Sequence, residues 1–255
     1  MHIRKNWKKN METNEMNNQA GITALMSSFG RAFHAEDEEH PVFADHLAKE
    51  LMTADEYAAV QGYLLGGAQF FEPEIDPAAL QPKVDHPLTQ ADKLERITRA
   101  GWAVPDNLAF VPVDFTKDSL AERLIAAGFD PSAKSFFSWL GVTYYLSAEA
   151  IDAMLASLSE LCADGSALVF DYPDENFFDA PERRVQNTII MAKAGGEPMK
   201  TAFSYSKLET MLEKHGFLIY ELLTPDDIQK DVIDRVWADL KAFEHVNYCL
   251  AVRKE

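Results

Sequence analysis

Two short runs of this chain each end in an aspartate. Val84-Asp85 leads through His86-Pro87-Leu88 into helical periodicity from Ala91 to about Ala100. Leu108-Ala109-Phe110-Val111-Pro112-Val113-Asp114-Phe115 leads into a second helical run, Ser119 to Ala127, stopped by Gly128. A carboxylate at the end of a buried strand, just before a helix, can accept hydrogen bonds from both vicinal hydroxyls of a ribose. Asp85 is suited to that role. Asp114 can accept from the amino group of an adenine while the Phe115 backbone N–H donates to a ring nitrogen. The competing reading makes each aspartate a turn former or helix N-cap. Recurrence of the same strand–aspartate–helix pattern favours a bound nucleoside.

A third run, Ser135 to Leu146 (SFFSWLGVTYYL), is apolar at nearly every position. It reads as a strand buried on both faces, at the centre of a parallel sheet covered by helices. Ser147 then looks like an N-cap and Glu149 like an acidic first turn, opening a helix through about Leu161. In such sheets ligands sit outside the carboxyl ends of the strands, so Trp139 to Tyr145 should border a pocket. Trp139, Tyr144 and Tyr145 are the candidate wall residues. The alternative is that these aromatics simply pack the core.

The elements that must position these residues follow in order. Residues 1–18 are polar and are expected to form a disordered tail. Residues 19–83 contain helical periodicities, as at Ile22, Leu25, Met26, Phe29 and Phe33, and read as an N-terminal helical cap. They end in a proline-rich boundary over residues 72–83. From residue 84 to 255 strands and helices alternate. The later strands are Ala167–Tyr172, Phe217–Leu222 and Asn247–Arg253, with helices over Ser204–His215 and Pro225 to about Phe243. The last two strands are candidates for an antiparallel edge. A polar insertion over residues 173–198, interrupted by Gly195-Gly196, is expected to cover a site or to move. The alternation predicts an α/β fold with a Rossmann-like, doubly wound, mostly parallel sheet.

Composition narrows the function. The 255 residues carry 41 acidic and 24 basic side chains, a net charge of -17. No Lys/Arg cluster follows residue 10, which argues against a nucleic-acid surface. No run approaches a membrane span. Cys162 and Cys249 are two isolated thiols without a secretion signal, which points to a reducing, cytoplasmic setting. His34, His40 and His46 lack partners at metal-ligand spacing, so no metal is expected. A hydrolase would need a G-x-S-x-G elbow or a Cys/His arrangement, and a redox Rossmann enzyme would need G-x-G-x-x-G after a strand. Neither pattern is present.

The succession VDHP, VDF, FFSWLGVTYYL, GSALVFDY and HGF resembles the class I S-adenosylmethionine-dependent methyltransferases. It is more narrowly similar to the bacterial branch of the leucine carboxyl methyltransferase family, over roughly residues 20–255. The resemblance implies S-adenosylmethionine as cofactor, Asp85 as ribose ligand, and Asp114 with the Phe115 backbone as adenine contacts. It implies methyl transfer to an oxygen, such as that of a carboxylate, of a small molecule or peptide acceptor. The aromatic faces of Trp139, Tyr144 and Tyr145 would suit a sulfonium by cation–π attraction. Two departures stand out. A glutamate often precedes the glycine of the central motif, and here that position is Leu140. The family's first strand and glycine-rich turn should precede Asp85, but residues 72–83 are too few to hold them. That segment is therefore expected to be missing near residues 80–83, and its absence favours the alternative of a non-catalytic nucleoside- or partner-binding protein on the same fold.

Overall fold

Val84 faces Val111 across a pair of parallel strands, β1 (Gln81–Asp85) and β2 (Leu108–Pro112). The pair runs in register from Gln81 opposite Leu108 to Asp85 opposite Pro112, so β1 starts earlier than the sequence periodicity indicates. The computed structural model describes residues 28, 31–32, 35, 45, 47–57, 81–115, 117–235 and 240–254. These fall into two compact units, Met1–Asp118 and Ser119–Glu255, each with its own sheet. The expected tail over residues 1–18, three histidines (His34, His40 and His46) and the Gly66-Gly67 pair lie outside the described residues.

In the first unit a one-turn helix, α1 (Leu47–Glu50), and helical residues 54–57 precede β1, and α2 (Pro87–Arg99) connects β1 to β2. Pro87 at the first helical position fits, because its missing N–H would be unpaired there in any case. Arg96 on α2 is only 8% exposed. It donates to both carboxylate oxygens of Glu56, to Asp92 and to the Leu51 carbonyl, tying residues 51–56 to the helix. Burial raises the Glu56 carboxyl, but hydrogen bonds from Arg96 and Thr53 outweigh it and hold the group at about 2.

The second unit carries four strands in the spatial order β3-β4-β6-β5. Its helices α3 (Leu120–Ala126) and α4 (Ala148–Leu161) flank β3 (Phe136–Trp139) in the chain. After β4 (Ala167–Pro173) come α5 (Arg183–Ala194) and α6 (Tyr205–Lys214). The chain closes with β5 (Phe217–Leu223), α7 (Pro225–Asp231) and β6 (Val246–Arg253). Helix α4 forms as its sequence dictates. The Ser147 hydroxyl accepts from the Ala150 N–H, and Ile151, Met154, Leu155, Leu158 and Leu161 bury one helical stripe.

Two readings of the aromatic run need correction. The strand buried on both faces is β4, whose Leu168, Phe170, Asp171 and Tyr172 are at most 2% exposed; among the described residues β3 is an edge strand of its sheet, with Phe136 46% exposed. Only four residues of the apolar run, Phe136–Trp139, form strand; Thr143–Tyr145 form a 3₁₀ turn buried against β4, β6 and α5. The last two strands do form an antiparallel edge: β6 pairs antiparallel with β5, and also with β4 on its other side. Within the 173–198 segment, helix α5 packs Val185 with Tyr144, Phe177, Ala180 and Val246.

Candidate functional site

At the carboxyl end of the first sheet the two aspartates come together. Asp85 is the last residue of β1, and Asp114 lies two residues beyond its register partner Pro112, about 7 Å further along at strand rise. The fully buried Val113 between them donates its N–H to the Asp85 carbonyl, fixing the spacing. Neither aspartate serves as a helix cap. His86 caps α2, its Nδ1 accepting from the Leu88 N–H, while Asp85 Oδ1 accepts from the His86 N–H at 2.8 Å. Ser119 caps α3 by accepting from the Glu122 N–H.

Asp85 is half-buried, and burial raises its carboxyl above the usual range despite the His86 N–H and the charges of Lys93 and His86. A carboxylate accepts about four hydrogen bonds, so capacity remains for two hydroxyl donors. Asp114 forms a 2.6 Å ion pair with Lys117, whose side chain is mostly exposed. The Asp114 N–H donates to Asp118, which tightens the turn carrying Phe115. Phe115 is 41% exposed. Two acceptor carboxylates and the Phe115 N–H at this sheet end fit the hydroxyl and amino donors and the ring acceptor of a nucleoside cofactor.

The other candidates occupy the carboxyl end of β3 in the second unit. Trp139 is half-buried with its ring tilted against Phe170, their centroids 6.3 Å apart. Gly141 adopts φ +70°, a region that favours glycine, and no atom lies within 4 Å of where a Cβ would stand. Tyr144 is 7% exposed and packs against Phe177, so it supports the turn from beneath. Tyr145 is half-buried, and burial, with Glu197 and Asp171 nearby, pushes its hydroxyl up to about 12.

One residue that sequence reasoning passed over organises this turn. Asp171 on β4 has no exposed surface. Its Oδ1 accepts from the Gly141 N–H at 2.7 Å and its Oδ2 accepts from the Tyr144 hydroxyl at 2.7 Å. Its backbone carbonyl accepts from the Thr143 hydroxyl at 2.6 Å. Burial pushes this carboxyl up to about 6 against the opposing pull of those donors. A charged residue inside the apolar run ALVFDY was the available signal. Nearby, His245 holds a left-handed φ of 61° with Nδ1 3.0 Å from Asp174, while its Nε2 lies 3.3 Å from Glu182.

Among the described residues no cluster of three or more His, Cys, Asp or Glu could hold a metal ion, and no helix is long and apolar enough to cross a membrane. Both cysteines are free and buried, and burial pushes Cys162 up to about 11 and Cys249 to about 12.

Comparison with known proteins bears on these arrangements. The family model for leucine carboxyl methyltransferase matches residues 82–159, which contain both strand-end aspartates and the turn after β3. YktD of Bacillus subtilis, named as an S-adenosyl-L-methionine-dependent methyltransferase, is 32% identical over 302 positions, covering 93% of this chain and 99% of that protein. Because the chain has 255 residues, at least 47 of those positions have no counterpart here. Rv0830 of Mycobacterium tuberculosis, which bears the same kind of name, is 33% identical over 101 residues, 40% of this chain and 33% of that one. Among solved structures, human N-acetylserotonin methyltransferase in complex with SAM gives a TM-score of 0.43 at 12% identity, over 68% of this chain and 40% of that one. The mitomycin 7-O-methyltransferase MmcR gives 0.46 at 14% identity, over 77% and 44%. The chain thus spans less than half the length of these two structures.

Proposed function

The chain belongs to the S-adenosylmethionine-dependent methyltransferases of the leucine carboxyl methyltransferase group, and we propose that it methylates an oxygen, in the first instance a carboxylate, of a small-molecule or peptide acceptor in the cytoplasm. The observation that carries this reading is the pair of strand-end aspartates released from helix capping by His86 and Ser119. Asp85 would hold the ribose hydroxyls. Asp114 and the Phe115 N–H would fix the adenine. When bound, the cofactor supplies a methyl group already activated on a sulfonium. The protein's task is then to align acceptor and methyl, and an ionised carboxylate acceptor needs no dedicated base. Trp139 and Tyr145, both half-buried and flanking Gly141 in the chain, would border the acceptor; the buried Tyr144 would brace the turn.

Titration calorimetry with S-adenosylhomocysteine tests this directly. Asp85→Ala is expected to weaken binding by about 1–3 kcal/mol, the range for leaving polar partners unpaired. Unchanged affinity would sink the ribose role. Phe115→Ala should cost less than Asp114→Ala, because the backbone donor survives the first change.

A second reading draws on the 47 or more positions of YktD that have no counterpart here. We place the family's first strand and glycine turn among them. A chain lacking that turn would keep the fold as a weak nucleoside binder or partner-binding protein. Failure of the wild-type protein to bind S-adenosylhomocysteine would select this reading over the enzyme.

A further inference from the structure

We infer that Asp171 is a positioning residue: its buried carboxylate sets the Gly141–Tyr145 turn at the carboxyl end of β3 in the shape that it presents to a ligand. The inference rests on the methyltransferase reading only for what that turn meets. The contact itself is independent of it.

The argument begins with where the turn could otherwise go. Gly141 is the one positive-φ glycine among the described residues that directly follows the carboxyl end of a strand. Gly101, Gly128, Gly196 and Gly216 each follow the end of a helix, and Gly165 turns into the start of β4. A helix-ending glycine satisfies its own helix's carbonyls. Gly141 has no helix to end, and its N–H goes to the side chain of another strand. The left-handed backbone and the absence of any atom near its Cβ position leave main chain facing open space. That geometry lets a ligand approach the backbone closely.

Every hydrogen bond from β4 to this turn converges on Asp171. The two carboxylate oxygens take one donor each, from Gly141 and Tyr144, and the backbone carbonyl takes the Thr143 hydroxyl. Thr143 is 1% exposed and Tyr144 7%, so these groups have no water to exchange for. The turn is pinned from its other side as well, where the Lys200 N–H donates to the Tyr144 carbonyl and the Thr201 hydroxyl donates to the Leu146 carbonyl. What varies is charge. The ionisable groups facing Asp171 are the hydroxyls of Tyr144 and Tyr145 in the turn and of Tyr248, its register partner on β6, with Glu197 beyond Tyr145. None is a cation, so the carboxylate depends on the two donors of the turn. An ionised Asp171 accepts from both. A protonated one must place its own hydrogen on an oxygen that Tyr144 or Gly141 is using, and the turn loosens.

Two variants separate positioning from mere packing. Asp171→Asn keeps the volume and removes the charge; Tyr144→Phe removes one donor and leaves the ring. Amide exchange should show the Gly141 N–H losing at least about tenfold protection in both variants, while α4 stays protected. Affinity for S-adenosylhomocysteine, measured at pH 5.5 and 7.5, should rise at least about threefold at the higher pH in the wild type and stay flat in Asp171→Asn. Tyr144→Phe should weaken binding at pH 7.5 about threefold to tenfold, the loss expected for one hydrogen bond. Unchanged Gly141 protection in both variants would overturn the inference. So would loosened exchange with unchanged affinity, since Asp171 would then be structural only. Wild-type protein that fails to bind would sink the methyltransferase reading instead, and the exchange arm would judge the Asp171 contact by itself.

Discussion

Burying a carboxylate favours its neutral form, and donors aimed at it favour its charge; at Asp171 burial prevails, but only as far as about 6. The consequence for stability has a definite sign. A carboxyl whose folded value lies above the ordinary 3.8 binds its proton more tightly when folded, so it stabilises the protein below about pH 4. That contribution fades as pH rises through about 6. The interval corresponds to about 3 kcal/mol. Denaturant unfolding of wild type and Asp171→Asn, compared at pH 4 and pH 7, should show the wild type losing about that much relative to the variant. Equal pH slopes would contradict it. Glu56 has the opposite sign: its folded value near 2 gives stability above about pH 4.5 that is lost as pH falls towards 2.

At the scale of elements, the most interdependent contact of the first unit is the Arg96 knot, where one guanidinium serves Glu56, Asp92 and the Leu51 carbonyl. Arg96→Ala should destabilise the protein by about 3 kcal/mol, because two acidic groups lose a shared, buried partner. A loss below 1 kcal/mol by chemical unfolding would show that water replaces the guanidinium. No spacing rule links residue 56 to residue 96, so this knot was invisible in the sequence. Helix α4 was legible to the residue, because Ser147 caps it, the apolar stripe repeats at helical spacing and Leu161 ends it. The strand–aspartate–helix pattern was legible for the same local reasons. The aromatic run misled because apolar composition reports burial and not conformation. Thr143 and Tyr144 are buried, but what covers them is α5 and the Asp171 contact, both of which come from later in the chain.

At the scale of the molecule, the order β3-β4-β6-β5 places the last described strand in the interior of the second sheet. β6 pairs with β4 along Val246–Val252 and with β5 along Tyr248–Arg253, and β4 and β5 have no ladder with each other. Removing residues 246–255 should therefore leave β5 without a partner and abolish cooperative unfolding of this unit by circular dichroism, whereas trimming residues 254–255 alone should not. On the ribosome, β3, β4 and β5 emerge before the strand that joins them. The second unit is thus committed to wait for β6, and the facing backbone edges of β4 and β5 stay unpaired until synthesis has passed that strand. During that interval the nascent chain has most use for a chaperone.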